Sequence, residues 1–199
     1  GHLIDEVRRR WTSLPDVIAY LNEVQADAVD HAEDLEGGTE AASSASGIVA
    51  MADLPPQRRY RVNVLVSHAD STGAPVVYED HPTHENLLGR IEHVAVFGAL
   101  VTDFNLIKAG ALHRANGGYL ILDARQALSL PFVWDELKRV LRAREIRIGS
   151  VGQLLGLTST VSLEPQPIPV DLKVVLIGDR LIYYLLSALA PEFGNLFKV

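Results

Sequence analysis

At 199 residues, 48% of them apolar and 22% charged, the chain can bury a sizeable core and is too hydrophobic to be disordered along its whole length. It has no cysteine, which excludes disulfides, thiolate metal sites and thiol nucleophiles and fits a reducing, cytoplasmic setting. No apolar run reaches the roughly 18 residues a membrane span needs and no charged-then-apolar signal opens the chain, so a soluble protein with no membrane partner is expected.

The net charge of −7 is uneven, because residues 1–57 set many acids against Arg8, Arg9 and Arg10 alone, whereas residues 58–199 are close to balance. Neither part has a dense basic stripe with interleaved aromatics, and no nucleic-acid partner is expected. Within residues 1–36, Ile4, Val7 and Trp11 recur at helical spacing, and Pro15 stands near the start of a second stripe of Val17, Leu21, Val24 and Ala28. This predicts an amphipathic helical hairpin with acidic outer faces. Residues 37–57, small and rich in Gly and Ser without a period, read as a flexible linker and place a boundary before residue 58.

From there the pattern alternates. Tyr60, Val62, Val64 and Val66 oppose Arg61 and Asn63, predicting a strand over 60–66. "GAPVVYEDHP" turns into a shorter extended piece, and "HENLLGRIEHVAVF" (84–97) reads as a helix. "LILD" and "KVVLIG" are continuous apolar runs of the kind found in parallel strands covered on both faces. Val133, Leu137, Val140 and Leu141 put a helix between them. Strand, helix, strand is the unit of an α/β sheet.

The string "GALHRANGGYLILDA", the helix "PFVWDELKRVLRAREIRI", then "PIPVDLKVVLIGD" and "PEFGNLFKV" together resemble the AAA+ module of Lon-like ATP-dependent serine proteases. The likeness is to the branch with a long insertion between the phosphate-binding loop and the Walker B strand. It covers residues 58–199, and "GHLIDEVRRRW" resembles the end of the helical insertion. It implies an α/β fold, a partial P-loop NTPase-like parallel sheet with flanking helices, preceded by the helical hairpin. It also implies that Asp123, alone readable as a strand-end cap, is the Walker B carboxylate that meets the magnesium of bound ATP. Asp179 falls at the polar sensor position facing the γ-phosphate.

The departures are as informative. Where the family carries a glutamate to orient the attacking water stands Ala124, which can neither accept a proton nor hold a water. "APEFGNLF", where an arginine finger is common, has no arginine, and Arg180 follows the sensor position. No G-x-x-x-x-G-K-[ST] loop is present, and the Ser-Lys dyad of Lon peptidases would lie after Val199. The chain therefore reads as the piece between the phosphate loop and the peptidase domain of a longer enzyme. ATP and magnesium are cofactors of that parent, and the piece alone is expected to bind neither well.

Further candidates follow from the resemblance. Tyr78 or Phe97 would be the aromatic that a substrate loop projects into the pore, with core packing as the alternative for each. Arg142 and Arg144 are candidate subunit-interface residues, beside opposite charges that also suit an ordinary surface helix. His81 and His84, with Glu79, Asp80 and Glu85, lack the two-turn helical spacing of a zinc motif and read as solvated loop residues. The implied partners are unfolded or damaged polypeptides and further copies of the chain in a ring, a hexamer in the parent. Two other functions remain open: a remodelling module related to AAA+ transcription activators, whose Gly-Ala-Phe-Thr-Gly-Ala loop "FGALVTDF" does not contain, and a non-hydrolysing oligomerisation scaffold. The phosphate-loop strand is central in the AAA+ sheet, beside the strand ending at Gly178, so in its absence an exposed edge and self-association are expected.

Overall fold

The computed structural model describes residues 2–32, 60–96, 99–149 and 163–198, in two compact units, Gly1–Val62 and Asn63–Val199. The expected linker over 37–57 lies outside the described residues. In the first unit, α1 (His2–Arg10) and α2 (Pro15–Asp30) form the expected hairpin, with Pro15 opening the second helix where its missing N–H costs nothing. Arg8 ties the pair together, reaching Asp5 in its own helix at 3.0 Å and Asn22 in α2 at 2.6 Å. Val17, Leu21, Val24 and Ala28 are half-buried along one stripe, and neither helix buries a residue fully.

The second unit is built on three parallel strands in the order β1 (Val76–Glu79), β6 (Tyr119–Asp123), β9 (Lys173–Ile177). The other strands form antiparallel pairs: β2 (Arg90–Ile91) with β5 (Ile107–Lys108), β3 (Val94–Val96) with β4 (Ala99–Val101), and β7 (Glu145–Ile146) with β8 (Ile168–Pro169). Leu120 and Leu122 project from one face of the parallel sheet into a core with Leu112 of α4 (Ala111–Arg114), Ala127 of α5 (Ala124–Ser129) and Val133, Leu137 and Val140 of α6 (Val133–Ala143). Helix α3 (His84–Leu88) adds Leu87 and Leu88 to the same core. The chain ends in α7 (Arg180–Leu189) and α8 (Phe193–Leu196). Phe193 and Phe197 stack at 5.2 Å, and Phe197 in turn stacks on Trp134 of α6 at 5.8 Å.

The glycine pair before β6 has two physical reasons. Gly117 has φ +84°, which a side chain rarely tolerates, and a Cβ on Gly118 would sit 2.0 Å from the carbonyl oxygen of Pro75. That carbonyl accepts the Tyr119 N–H at 2.8 Å, so the contact that forbids a side chain is the one that sets β6 against the entry to β1.

Two expected elements differ. Residues 61–68 carry no regular structure, so Tyr60 to Val66 is not a strand. Instead the Asn63 side chain donates to the carbonyls of Phe104 and Ile107, at 2.7 and 3.1 Å. The helix expected over 84–97 stops at Leu88, because Gly89 turns the chain with φ +83° and a Cβ there would meet the Lys108 carbonyl at 2.4 Å. The remainder of that stretch enters β2 and β3.

One sheet face is open. Val76, Tyr78, Val175 and Ile177 are exposed on it, and among the described residues no strand pairs with the outer edge of β9. Parallel strands normally have both faces covered and edges protected, so the chain alone is expected to self-associate. Sedimentation velocity over a concentration series checks this: wild type should show a growing dimer fraction and Val175→Lys a monomer. A wild type that stays monomeric at high concentration contradicts it.

Candidate functional site

The carboxyl ends of β6 and β9 carry the two carboxylates singled out in the sequence. Asp123 is the last residue of β6 and pairs in register with Ile177, the last residue of β9, and Asp179 stands two residues past that strand's end. Each precedes a helix with extended backbone angles, φ −73° and ψ 121° at Asp123, φ −68° and ψ 148° at Asp179. Their side chains nevertheless do different things. Asp123 Oδ1 accepts the backbone N–H of Gln126 at 2.9 Å and caps α5. Asp179 caps nothing: Arg125 Nη2 donates to its Oδ2 at 2.9 Å.

Between them lies Ala124, 4% exposed, whose Cβ a side chain on Gly178 would approach to 3.0 Å. The strand ends are close here because both positions are small. Beside them opens a cavity of about 360 Å³, walled by Val174 and Leu176 of β9, Ile182 and Leu186 of α7, and Phe193 and Phe197. Asp179 and Lys198 also line it.

Among the described residues no group of three or more His, Asp or Glu side chains could hold a metal by itself. What the strand ends offer a metal-bound polyphosphate is one carboxylate, Asp123, with one oxygen used in capping, and a cation, Arg125, held on Asp179. That fits one side of a nucleotide site. It does not fit in-chain activation of water, since Ala124 has no acid–base group and Asp179 is already in an ion pair.

The other candidates are scattered. Tyr78 is in the middle of β1, exposed on the open face of the sheet and level with Ile121, so it belongs to a strand and not to a loop. Phe97 lies outside the described residues. Arg142 forms an ion pair with Glu192, joining α6 to the turn before α8, and Arg144 ends α6 in the left-handed region at φ 53°.

The acidic and histidine group is also redistributed. Glu79 pairs with Arg114 at 3.1 Å, and His84, expected in solvent, is 6% exposed at the start of α3 with Thr83 capping the helix. Burial lowers the His84 pKa below its ordinary value, opposed by Glu136 and Glu85 and assisted by Arg139. His113 on α4, which sequence reasoning passed over, is 4% exposed, and its pKa is lowered to about 4 by burial and then by Arg114. The Gly110 N–H donates to its Nδ1 at 3.3 Å, so the neutral ring carries its proton on Nε2, a buried nitrogen with no partner among the described residues.

Sequence reasoning also missed Arg125. The only signal was a cation two residues after Asp123, and nothing in the sequence indicates that it reaches Asp179, 54 positions away.

No described helix is long and apolar enough to cross a membrane. Compared with known proteins, the chain is 31% identical over 108 residues to a putative Lon protease homolog of Escherichia coli (strain K12), an alignment covering 53% of this chain and 18% of that protein. The chain therefore spans about a fifth of that relative's length. Residues 72–199, which hold the parallel sheet, both strand-end carboxylates and Arg125, match the family described as LonB-like, AAA domain. With more than half of its length in that match, the chain belongs to the LonB-like AAA domain family.

Proposed function

We propose that this chain supplies one wall of a nucleotide site in a Lon-like ATP-dependent protease, and that nucleotide there holds and gates the module more than it drives hydrolysis. The observation that carries the reading is the placement of Asp123 and Asp179 at the carboxyl ends of adjacent parallel strands, where open α/β sheets keep their ligands. In this reading Asp123 is the Walker B carboxylate and meets the metal of bound ATP, and magnesium supplies charge neutralisation for the phosphates. The β9 cavity receives the phosphate-loop strand of the same protein. The partners are unfolded polypeptide, passed to a Ser-Lys peptidase domain, and neighbouring copies in a ring.

The non-hydrolysing side of the reading rests on Ala124. Its methyl group packs at the strand end where a water-orienting carboxylate is needed, Asp123 beside it caps α5, and Asp179 is engaged with Arg125. A scaffold that reads nucleotide without consuming it is consistent with these contacts.

Asparagine separates the two roles of Asp123, because it caps a helix about as well as aspartate and is a poor magnesium ligand. Asp123→Asn is expected to keep the folding stability of wild type and to abolish magnesium-dependent nucleotide binding by the full-length protein, together with any nucleotide dependence of its casein degradation. Asp123→Ala should lose both, with about 1 kcal/mol of stability going with the cap. Nucleotide binding that survives in Asp123→Asn would leave this residue a cap alone.

A further inference from the structure

The two strand-end aspartates have nearly the same backbone conformation, yet one caps its helix and the other does not. Asp123 accepts from Gln126 N–H, three residues on. The corresponding donor for Asp179 is Ile182 N–H, which donates instead to the Asp179 main-chain carbonyl at 2.9 Å. The Asp179 carboxylate has been drawn to Arg125, at 2.9 Å. Its backbone angles suit a cap, but its side chain is elsewhere.

Asp179 therefore has two alternative partners, the Arg125 guanidinium and the first turn of α7. Which one it takes depends on how strongly Arg125 is held. The pair is wet, with side chains 73% and 68% exposed, and an ion pair in that setting is weak and easily exchanged. A polyphosphate is a far stronger partner for a guanidinium than one exposed carboxylate, since it offers several charged oxygens to the donor fork. Helix α7 is also the element on which a change would be felt, because Leu181, Tyr184, Leu185 and Leu189 form an exposed apolar stripe along it.

We propose that the Arg125–Asp179 pair is a latch released by polyphosphate: an anion at the ends of β6 and β9 takes Arg125, and the freed Asp179 carboxylate caps α7 and orders its first turn. Arg125 binds the anion, and through Asp179 it reports occupancy of the strand-end site to the apolar surface of α7. The inference rests on the nucleotide-site reading above and adds to it a residue, a ligand contact and a structural consequence. The recognised chemistry is a chain of phosphates, whether it arrives as a nucleoside triphosphate or as free tripolyphosphate.

The test uses the full-length protein, with ATP and tripolyphosphate titrated separately by calorimetry in the presence of magnesium, and amide hydrogen exchange read over residues 180–186. Wild type should bind and gain protection in the first turn of α7. Arg125→Gln should bind about tenfold more weakly, the scale of one charge-assisted contact. It should also show that protection before ligand is added, because Asp179 is already free to cap. Asp179→Asn should bind at least as well as wild type and be protected from the start, since asparagine is an equally good cap and holds Arg125 less strongly.

Equal binding by ATP and tripolyphosphate would place recognition in the phosphates, and binding of ATP alone would show that the nucleoside is also read; both support the latch provided that Arg125→Gln weakens the ligand that binds. If wild type binds neither compound, the nucleotide-site reading fails and the latch with it. If wild type binds and Arg125→Gln matches it within about twofold, or α7 protection does not respond to ligand, the latch alone is overturned and the site stands.

Discussion

Lowering the pH from 7 to 4 is expected to remove about 3 kcal/mol from the folding stability of residues 63–199, chiefly through His113. Burial holds this imidazole neutral, with a pKa lowered from 6.5 to about 4 in the folded protein. The unfolded chain therefore takes up a proton as the pH falls below 6.5, and the folded chain does not until about pH 4. Between those values the unfolded state binds more protons, so stability is present above pH 6.5 and is lost progressively down to pH 4. At about 1.4 kcal/mol per pH unit, the interval accounts for the magnitude.

His84 adds in the same direction, because its pKa is also lowered by burial. Urea unfolding at a series of pH values, followed by Trp134 fluorescence in a Trp11→Phe background, measures the slope. His113→Gln removes the titrating group and offers Gly110 a replacement acceptor, and it should flatten most of the pH dependence. An unchanged slope in that variant would show that acid acts elsewhere.

The second large effect is expected at the glycine pair. Gly118→Ala should destabilise the same unit by about 3 kcal/mol, at the upper end of overpacking, because the added methyl meets backbone and ring atoms and not a movable side chain. Its nearest neighbours are the Pro75 oxygen at 2.0 Å and the Pro75 Cδ and nitrogen at 2.8 Å. The Gly118 carbonyl also accepts the Lys173 N–H at 2.9 Å, so a shift that relieved the first contact would pull β6 away from β9. Gly117→Ala is the comparison. Nothing lies within 4 Å of a Cβ there, and the cost should be only that of holding alanine at φ +84°, about 1 kcal/mol. Chemical denaturation of the two variants side by side decides it, and a Gly117 effect as large as that at Gly118 would mean that conformation and not contact governs the pair.

These two sites also show what could be read from the chain and what could not. The glycine pair and the apolar run behind it mark a strand with a tight entry, but the obstacle that makes Gly118 indispensable is Pro75, 43 positions earlier in the chain. His113 looks polar and near a turn, yet it lies in the core because α4 packs against α3 and β1. Alternation over Tyr60 to Val66 predicted a strand, since alternation records which side a residue faces and not whether a backbone partner exists. The side chain of Asn63 supplies the tether that a strand ladder would have given. The helix expected over 84–97 failed at Gly89, where the chain turns at a positive φ and the Lys108 carbonyl leaves no room for a Cβ, neither of which the local pattern revealed.

By itself, then, the sequence determined the apolar runs of β6 and β9, the amphipathic helix between them and the position of Asp123 at a strand end, because these depend on local periodicity and on a residue's distance from its own strand. The ordered motifs along residues 58–199 were enough to place the family. Tertiary structure decided the rest: the register that sets Asp123 opposite Ile177, the diversion of Asp179 to Arg125, the burial of His84 and His113, and the open edge of β9. Each of these is a relation between residues far apart in the chain, fixed only when packing the apolar faces into one core settles which strands lie side by side.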